Sequence, residues 1–176
     1  MGQPRKHWGW HQLDDAWAER LVDASGIGRG DLVVDVGAGL GALTRPLVDR
    51  GARVIAVERH PERADVLRRS FDGRVTVVRA DAADLRLPRR PFHVVANPPY
   101  GITADLLARL LHHGSRLQTA HLVLQRDAAR RWSGPSAPAA RRWQQHWAVS
   151  LGPVVPRRAF APPPKVDSQV LRLHRR

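Results

Sequence analysis

The sequence predicts an α/β fold in which a mostly parallel sheet carries helices on both faces. Short apolar runs, of which 32–36 and 93–96 are examples, are typical of strands that are buried on both sides. Segments with apolar residues at helical spacing lie between these runs, and turns that contain glycine or proline mark the boundaries. With 176 residues, the chain can form one domain with a substantial core, and little room is left for a second domain.

The elements follow one another in a regular order. Apolar residues at helical spacing, from Ala16 to Val22, predict a first helix over 14–24, which a Ser-Gly-Ile-Gly turn ends. After that turn, runs rich in valine and leucine alternate with segments of helical period. The predicted strands are 32–36, 53–57, 74–78, 93–96 and 119–124, and the predicted helices are 42–49, 62–70, 103–111 and 127–132.

The last third of the chain is predicted to close the sheet. Segments 143–151 and 168–174 have strand character and bring the predicted sheet to seven strands. The stretch 153–164 between them is dense in proline, which lacks an N–H group, so it cannot form an interior strand or a helix. We therefore expect one catalytic domain over 14–176, a basic arm over 1–13 and no C-terminal accessory domain.

The chain is strongly basic, with 29 Lys and Arg against 16 Asp and Glu and a net charge of +13. A polyanion is the partner that such a charge favours, and nucleic acid is the leading candidate. Most of the excess lies after position 125, where eleven basic residues stand against two acidic ones. An arginine-rich, high-GC genome could also raise the arginine content.

Composition also narrows the chemistry and the compartment. The absence of cysteine excludes disulfides and thiolate metal sites, and the nine histidines do not recur at a ligand spacing such as HExxH, so we expect no metal. No apolar stretch is long enough to span a membrane, and the start of the chain lacks the apolar region of a secretory signal. We therefore expect a cytoplasmic protein with no membrane partner that acts as a monomer.

A glycine-rich turn follows the first long predicted strand, with the pattern Asp35-x-Gly37-x-Gly39-x-Gly41. Glycines there allow the backbone to pass close to a ligand, and they expose amides at the start of a helix. The spacing differs from the GxGxxG of dinucleotide sites. An acidic residue followed by GxGxG resembles the first motif of Rossmann-like methyltransferases that bind S-adenosylmethionine. Taken alone, the run could also be a tight structural turn or an NAD site.

Two acidic residues follow the next two predicted strands. Glu58 ends the strand 53–57, where a carboxylate can accept both ribose hydroxyls. Asp81 comes after the strand 74–78, where it can accept from an adenine amino group. Each alone could be a solvated charge or a turn residue. Three such motifs in order behind three successive strands indicate a methyl-donor site, but they do not identify the acceptor.

The tetrapeptide Asn97-Pro98-Pro99-Tyr100 follows the apolar run 93–96 and so lies where a buried strand ends. There the asparagine oxygen and a proline carbonyl could accept both N–H bonds of a planar amino group, which would aim the nitrogen lone pair at a methyl group. Tyr100 could stack on the base, which must be unpaired or flipped to enter. In isolation, the tetrapeptide could be a simple proline turn.

This tetrapeptide and the segment FAPPPKVDS, residues 160–168, make the chain resemble the Erm and KsgA adenine-N6 rRNA methyltransferases over nearly its whole length. The segment matches the FxPxPxVxS pattern of those enzymes, in which the aromatic residue closes over the target base. The resemblance implies a Rossmann-like class I fold, S-adenosylmethionine as cofactor and rRNA as partner. The catalytic residues that it implies are Asn97, Pro98, Tyr100 and Phe160.

The resemblance also implies a donor site, with one departure from the family pattern. Relatives usually carry a QNF-like motif ahead of the first helix, where this chain has Trp10-His11-Gln12-Leu13. The contact with the methionine end of the donor is therefore altered or made by the backbone. The implied cofactor-binding residues are His11, Leu13, Gly37, Ala38, Gly39, Gly41, Glu58, Arg59, Asp81, Ala82 and Asn97.

Basic and aromatic residues near both ends of the chain are predicted to bind the rRNA. Guanidinium groups pair well with phosphates, and Trp8 can stack on an unpaired base. Each arginine taken alone could be a solvated charge. The predicted set is Arg5, Lys6, Trp8, Arg130, Arg131, Arg141, Arg142, Arg157 and Arg158. The remaining tryptophans of the second half, Trp132, Trp143 and Trp147, are predicted to be packing residues.

The predicted acceptor depends on small differences within the family. The NPPYGI form and the short chain are closest to a compact Erm-type subgroup, which implies methylation of an adenine in 23S rRNA and macrolide resistance. A KsgA-like enzyme for small-subunit rRNA, whose motif usually has Leu where Pro98 stands, is the nearest alternative. Methylation of DNA adenine or protein glutamine does not readily explain the Phe160 segment. A basic RNA-binding module without catalysis is the remaining alternative, which the intact Asn97 and Tyr100 disfavour.

Overall fold

The structure, a computed structural model, describes residues 10–176. Its strands are β1 (Gln12–Leu13), β2 (Leu32–Val36), β3 (Arg53–Val57), β4 (Val75–Val78), β5 (Phe92–Ala96), β6 (Leu117–Gln125), β7 (Trp147–Val155), β8 (Phe160–Ala161) and β9 (Ser168–Arg175). Its α-helices are α1 (Asp15–Ser25), α2 (Thr44–Asp49), α3 (Pro61–Phe71), α4 (Thr103–Leu110), α5 (Arg126–Ser133) and α6 (Ala140–Trp143). Short 3₁₀ turns lie at Ala82–Asp84, Tyr100–Ile102 and Arg157–Ala159.

Seven strands form one sheet in the order β4-β3-β2-β5-β6-β9-β7. The strands from β4 to β6 are parallel, and β9 runs antiparallel to both β6 and β7. This confirms the predicted mostly parallel sheet of seven strands. The direction of strand progression reverses between β2 and β5, and ligands of open α/β sheets bind at such a reversal. The segments that follow β2 and β5 therefore lie side by side.

Helices cover the two faces of the sheet and create two apolar cores. Because side chains alternate along a strand, neighbouring residues of β2 enter different cores. Val33 packs in the core that contains Leu21 of α1 and Leu47 of α2, whereas Val34 packs in the core that contains Leu106 of α4. Both valines are at most 1% exposed. The predicted helical layers on both faces are thereby confirmed.

A second, two-stranded sheet joins the start of the described chain to its last third. β1 pairs antiparallel with β8, so that Gln12 is opposite Ala161 and Leu13 is opposite Phe160. The backbone N–H of Asp14 extends this contact by donating to the carbonyl of Ala159 at 2.8 Å. The sequence did not predict this pairing, because two-residue strands have no periodicity to detect.

The strand β7 differs from the prediction at both of its ends. The predicted strand 143–151 begins at Trp147, because the preceding residues form α6 and the Trp143 indole donates to the carbonyl of Pro138 at 2.9 Å. β7 then continues through Pro153, across a register shift between Leu151 and Val154. β7 is an edge strand, where a proline removes no interior ladder bond.

The structure also tests two predictions drawn from composition. The three tryptophans predicted to be packing residues are buried in one apolar core, which confirms that prediction. No helix in the described range is both long and apolar enough to cross a membrane.

Candidate active site

The predicted catalytic loop begins directly after β5 with Asn97, the single asparagine of the chain. Its side-chain Nδ2 donates to the backbone carbonyl of His11 at 2.9 Å. This bond fixes the amide plane and leaves Oδ1 as the atom that can accept from an amino group. A segment 86 positions away in the chain therefore orients the predicted catalytic amide.

Tyr100, the single tyrosine of the chain, is held through its hydroxyl and through one face of its ring. Its hydroxyl lies 2.8 Å from Oγ of Ser168, and its ring stacks on the imidazole of His11 with a centroid separation of 5.6 Å. Burial raises the pKa of the Tyr100 phenol, and the Ser168 hydrogen bond lowers it by less. Tyr100 is thus a neutral aromatic surface at neutral pH, which suits stacking rather than proton transfer.

The glycine-rich turn after β2 lies against two other segments of the site. A Cβ at Gly37 would lie 2.8 Å from Cδ of Pro99, and Gly37 has a φ of +76°. A Cβ at Gly39 would overlap the indole of Trp10. The first glycine therefore permits the catalytic loop to approach the turn, and the second permits the tryptophan to cover it.

Glu58 is 4% exposed and its two carboxylate oxygens face the loops. Oε2 accepts from the backbone N–H of Gly39 and Oε1 from that of His60, each at 2.8 Å. The guanidinium of Arg63 lies 3.6 Å from Oε1 and also 4.6 Å from the centre of the Trp10 ring. The Glu58 carboxylate is thus held at the carboxyl end of β3, adjacent to the glycine-rich turn.

Asp35, the acidic residue of the predicted donor motif, lies beneath the turn rather than in it. It is 1% exposed, and Oδ2 accepts a hydrogen bond from the Thr44 hydroxyl at 2.7 Å. Burial raises the pKa of Asp35 to about 7; the Thr44 hydrogen bond opposes this effect and the charge of Glu58 adds to it. Asp35 therefore braces the turn against the start of α2.

The structure brings several predicted site residues to one narrow pocket. His11, Gly37, Glu58, Asn97, Pro98 and Tyr100 line it, together with Trp10, Arg63 and Pro99. Trp10 and Arg63 were not predicted. Trp10 lies in the segment where relatives usually carry the QNF-like motif. The difference between this chain and that motif was the one sign in the sequence that Trp10 could belong to the site.

Other predicted residues do not line this pocket. Leu13 is 2% exposed and packs in the core, and with Ala38 it lines a second small pocket that shares His11 and Asn97 with the first. Gly41 serves helix packing, because a Cβ there would lie 2.9 Å from Cε2 of Phe71. Asp81 pairs with Arg59 at 2.9 Å, next to Ala82 at the 3₁₀ turn after β4. Ala38 is buried at the base of the turn.

Phe160, the predicted aromatic lid over the base, is buried in this structure. Its side chain is 4% exposed and packs in the core beside Leu13, its partner across the β1–β8 pair. In this position the ring supports the segment around it, and its stacking on a base stays a prediction. The neighbouring carbonyl of Pro162 lies 2.7 Å from Nδ1 of His11, so the Phe160 segment reaches the site through His11.

The predicted RNA-binding residues divide by position. Arg5, Lys6 and Trp8 lie outside the described residues. The other six are all exposed, on or near α5, α6 and the 3₁₀ turn after β7. They are Arg130, Arg131, Arg141, Arg142, Arg157 and Arg158. Their exposure leaves them accessible to an RNA, and their role remains a prediction.

The arrangement fits a sulfonium methyl donor. The glycines of the turn allow a ligand to approach the backbone closely, Glu58 at the end of β3 suits ribose hydroxyls, and Asn97 after β5 lines the same pocket as Glu58. Combined with the strand order, these features define an S-adenosylmethionine-dependent methyltransferase of class I.

Comparison with known proteins gives the family. The family described as "Ribosomal RNA adenine dimethylase" matches residues 3–176, and the chain belongs to it. The "Ribosomal RNA small subunit methyltransferase A" of Anaeromyxobacter dehalogenans is 38% identical over 95% of this chain. An "rRNA methyltransferase" of Streptomyces thermotolerans is also 38% identical, over 93% of this chain. The chain spans 66% of the first of these proteins and 56% of the second.

Solved structures agree with this assignment. The 23S rRNA methyltransferase ErmE superposes with a TM-score of 0.84 and 31% identity, over 93% of this chain and 69% of that one. A dimethyladenosine transferase from Plasmodium falciparum gives a TM-score of 0.80 and 26% identity, over 94% and 64% of the two chains.

Proposed function

We propose that this protein transfers a methyl group from S-adenosylmethionine to the N6 amino group of an adenine in rRNA. The observation that carries the proposal is the hydrogen bond from Asn97 Nδ2 to the His11 carbonyl, beside the glycine-rich turn. It presents an amide oxygen at the end of the strand next to the proposed donor site. The proposed compartment is the cytoplasm, where bacterial rRNA lies.

The residues of the site act by orientation. Asn97 Oδ1 and the Pro98 carbonyl accept the two N–H bonds of the adenine amino group, which directs the nitrogen lone pair toward the donor. Glu58 and the glycine-rich turn would hold S-adenosylmethionine, which would supply the methyl carbon, with its bond to sulfur breaking as the new C–N bond forms. The nitrogen then loses one proton to solvent, so no strong base is required. Tyr100 stacks on the base and excludes water from one side.

The acceptor that the relatives favour is an adenine of small-subunit rRNA. Curated relatives at 36–38% identity are named as small-subunit methyltransferases. The expectation of 23S rRNA and macrolide resistance has less support, although the likeness to ErmE keeps large-subunit rRNA as a second candidate. The Pro98 form of the loop, which favoured the large subunit in the sequence, is a single residue within a loop shared by both branches.

Transfer of a tritiated methyl group tests the proposal directly. Purified 16S rRNA, 23S rRNA, assembled small subunits and duplex DNA are offered separately, and the labelled RNA is mapped by mass spectrometry. We expect N6-methyladenine in small-subunit RNA. Label in 23S rRNA alone would select the second candidate, and label on no RNA would refute both. A chain with Asn97→Ala serves as the control for background transfer.

A further inference from the structure

A group of basic side chains lies on the sheet away from the pocket described above. It is formed on one face by two cross-strand rows, because residues opposite one another on neighbouring strands share a face. The first row holds His93, Thr119, His174 and Ala148, and the second holds Val95, His121, Arg172 and Ser150. We call His93, His121, Arg172 and His174 the basic sheet cluster.

Two nitrogen atoms of this cluster are buried without a hydrogen-bond partner among residues 10–176. They are Nδ1 of His121, a residue that is 8% exposed, and Nε of Arg172, its direct cross-strand neighbour. Nδ1 of His93, by contrast, bonds to the Thr119 hydroxyl at 2.8 Å. Unpartnered buried polar groups are rare and costly, so the pair is suited to a ligand that accepts hydrogen bonds.

The charges of the cluster favour an anion. Burial, together with the smaller effects of the charges of Arg172, His93 and His174, lowers the pKa of His121 to about 4. Burial also lowers the pKa of His93; Asp31 opposes that effect and His174 adds to it. Asp31, which precedes β2, is the acidic group whose charge acts on His93. Because burial and the neighbouring basic groups disfavour a charge on His121, a bound anion would offset their effect and allow the imidazoles to donate from both nitrogens.

The edge strand β7 carries small residues beside Arg172. A Cβ at Gly152 would lie 3.0 Å from Nε of Arg172 and 2.9 Å from Cβ of Val170, so the glycine allows the arginine to lie across β7. Ala148 and Ser150, on the same face of β7, are small and exposed. α1 packs on β5 and β6 of this sheet. Arg172 is half-buried and His174 is exposed, so the cluster meets solvent at this edge of the sheet.

We propose that the basic sheet cluster binds a phosphate group of the RNA backbone. The identity of the RNA rests on the proposed function, whereas the phosphate chemistry rests on the cluster itself. An arginine fork and several imidazoles suit a phosphate, and a protein of net charge +13 has an electrostatic preference for polyanions. His93 precedes Asn97 by four residues of extended chain, about 13 Å at 3.3 Å per residue. The bound phosphate therefore belongs to a nucleotide distant from the methylated adenine.

The first measurement compares Arg172→Gln with Arg69→Gln, a matched control that removes one charge from an exposed residue of α3. Binding to an oligouridylate is followed as a function of salt. For Arg172→Gln we expect a Kd about fivefold higher and a salt slope smaller by about one, with Kd unchanged in the control. Donor affinity and the thermal midpoint of unfolding are measured alongside, and His174→Gln, at an exposed position, repeats the test if Arg172→Gln unfolds. Equal RNA binding by the Arg172 and Arg69 variants would contradict the proposal.

The second measurement follows the imidazole NMR signals of the whole chain during titration with oligouridylate or inorganic phosphate. We expect oligouridylate to shift the signals of His93, His121 and His174 and to raise the pKa of His121. Shifts with inorganic phosphate but not with oligouridylate would identify free phosphate as the ligand and contradict the proposal that the phosphate belongs to RNA. No shift with either overturns the site. Because oligouridylate contains no adenine, shifts in a protein that methylates no RNA would refute the proposed function and support this inference.

Discussion

The two ends of the seven-stranded sheet differ in construction and in chemistry. From β4 to β5 the strands are parallel, and their carboxyl ends carry the glycine-rich turn, Glu58 and Asn97. Beyond β6 the neighbouring strands are antiparallel, and α5, which packs on β9 and β7, carries the exposed Arg130 and Arg131. The difference teaches that the proposed methyl transfer belongs to the parallel end and the proposed RNA binding to the antiparallel end. The small β1–β8 sheet, next to His11, joins the two.

The largest expected effect comes from the parallel end, at Asn97. We expect Asn97→Ala to lower turnover about 1,000-fold, because the amino group loses an acceptor that orients it, and to leave donor affinity within about threefold. Single-turnover methyl transfer and donor binding measure the two quantities. Gln145→Ala, at an exposed position, is the control. Turnover that is unchanged in Asn97→Ala would remove the assigned role.

Asp35 provides a test of the same end through stability. Its raised pKa means that the folded state favours the protonated carboxyl, so this contribution is full below the ordinary value of 3.8 and is lost as the pH rises through about 7. Asp35→Asn cannot ionise and should become more stable relative to the natural chain across that window, by about 1.4 kcal/mol for each pH unit within it.

Urea unfolding between pH 4 and pH 8 measures this difference. Asp127→Asn, at an exposed position of α5, is the matched control and should follow the natural chain. Parallel stability curves for Asp35→Asn and the natural chain would show that Asp35 is not a buried titrating group.

Glu58 tests the donor assignment with a smaller effect. We expect Glu58→Gln to raise the Kd for S-adenosylmethionine about tenfold, because an amide oxygen accepts hydrogen bonds less strongly than a carboxylate. Turnover at saturating donor should change little. Glu62→Gln, exposed on α3, is the control. A donor Kd equal in both variants would place the donor elsewhere.

His11 tests the link that the β1–β8 sheet makes between the parallel and antiparallel ends of the large sheet. His11→Asn retains the backbone carbonyl that receives Asn97 but loses the stacking on Tyr100, so we expect KM for RNA to rise about fivefold with donor Kd nearly unchanged. Because Tyr100 is the single tyrosine, its ring NMR signals report the lost stacking directly. His112→Asn is an exposed control. A rise in donor Kd instead would assign the His11 side chain to the donor site, as the sequence predicted.

The smallest effect is expected at the antiparallel end, on α5. Replacing Arg130 and Arg131 together by Gln should raise the Kd for RNA about threefold and reduce its salt dependence, because exposed phosphate contacts are screened by salt. Turnover at saturating RNA should not change. Arg68→Gln with Arg69→Gln on α3 removes the same charge and should leave RNA binding unaltered. Equal RNA binding by the two double variants would contradict the assignment of RNA binding to the antiparallel end of the sheet.

The accuracy of the sequence-based prediction follows the same division. The bounds of β2 and β3 match the predicted strands because a buried parallel strand is a continuous apolar run with sharp ends. The start of β7 was misplaced, since the aromatic residues around Trp143 suit a helix or a strand equally well. In the structure, Trp143 lies in the short helix α6 and its indole donates to the carbonyl of Pro138. The pattern of apolar residues alone does not indicate this helix.

The sequence by itself determined the parallel sheet, the order of the motifs behind its strands and the family, because each depends on residues that are neighbours in the chain. Only the tertiary structure decided that the His11 carbonyl orients Asn97, that Phe160 packs in the core and that His121 lies opposite Arg172. These contacts join residues 86 positions apart in the first case and 51 in the last. Such contacts between distant residues are determined by strand order and register, which no local sequence pattern encodes.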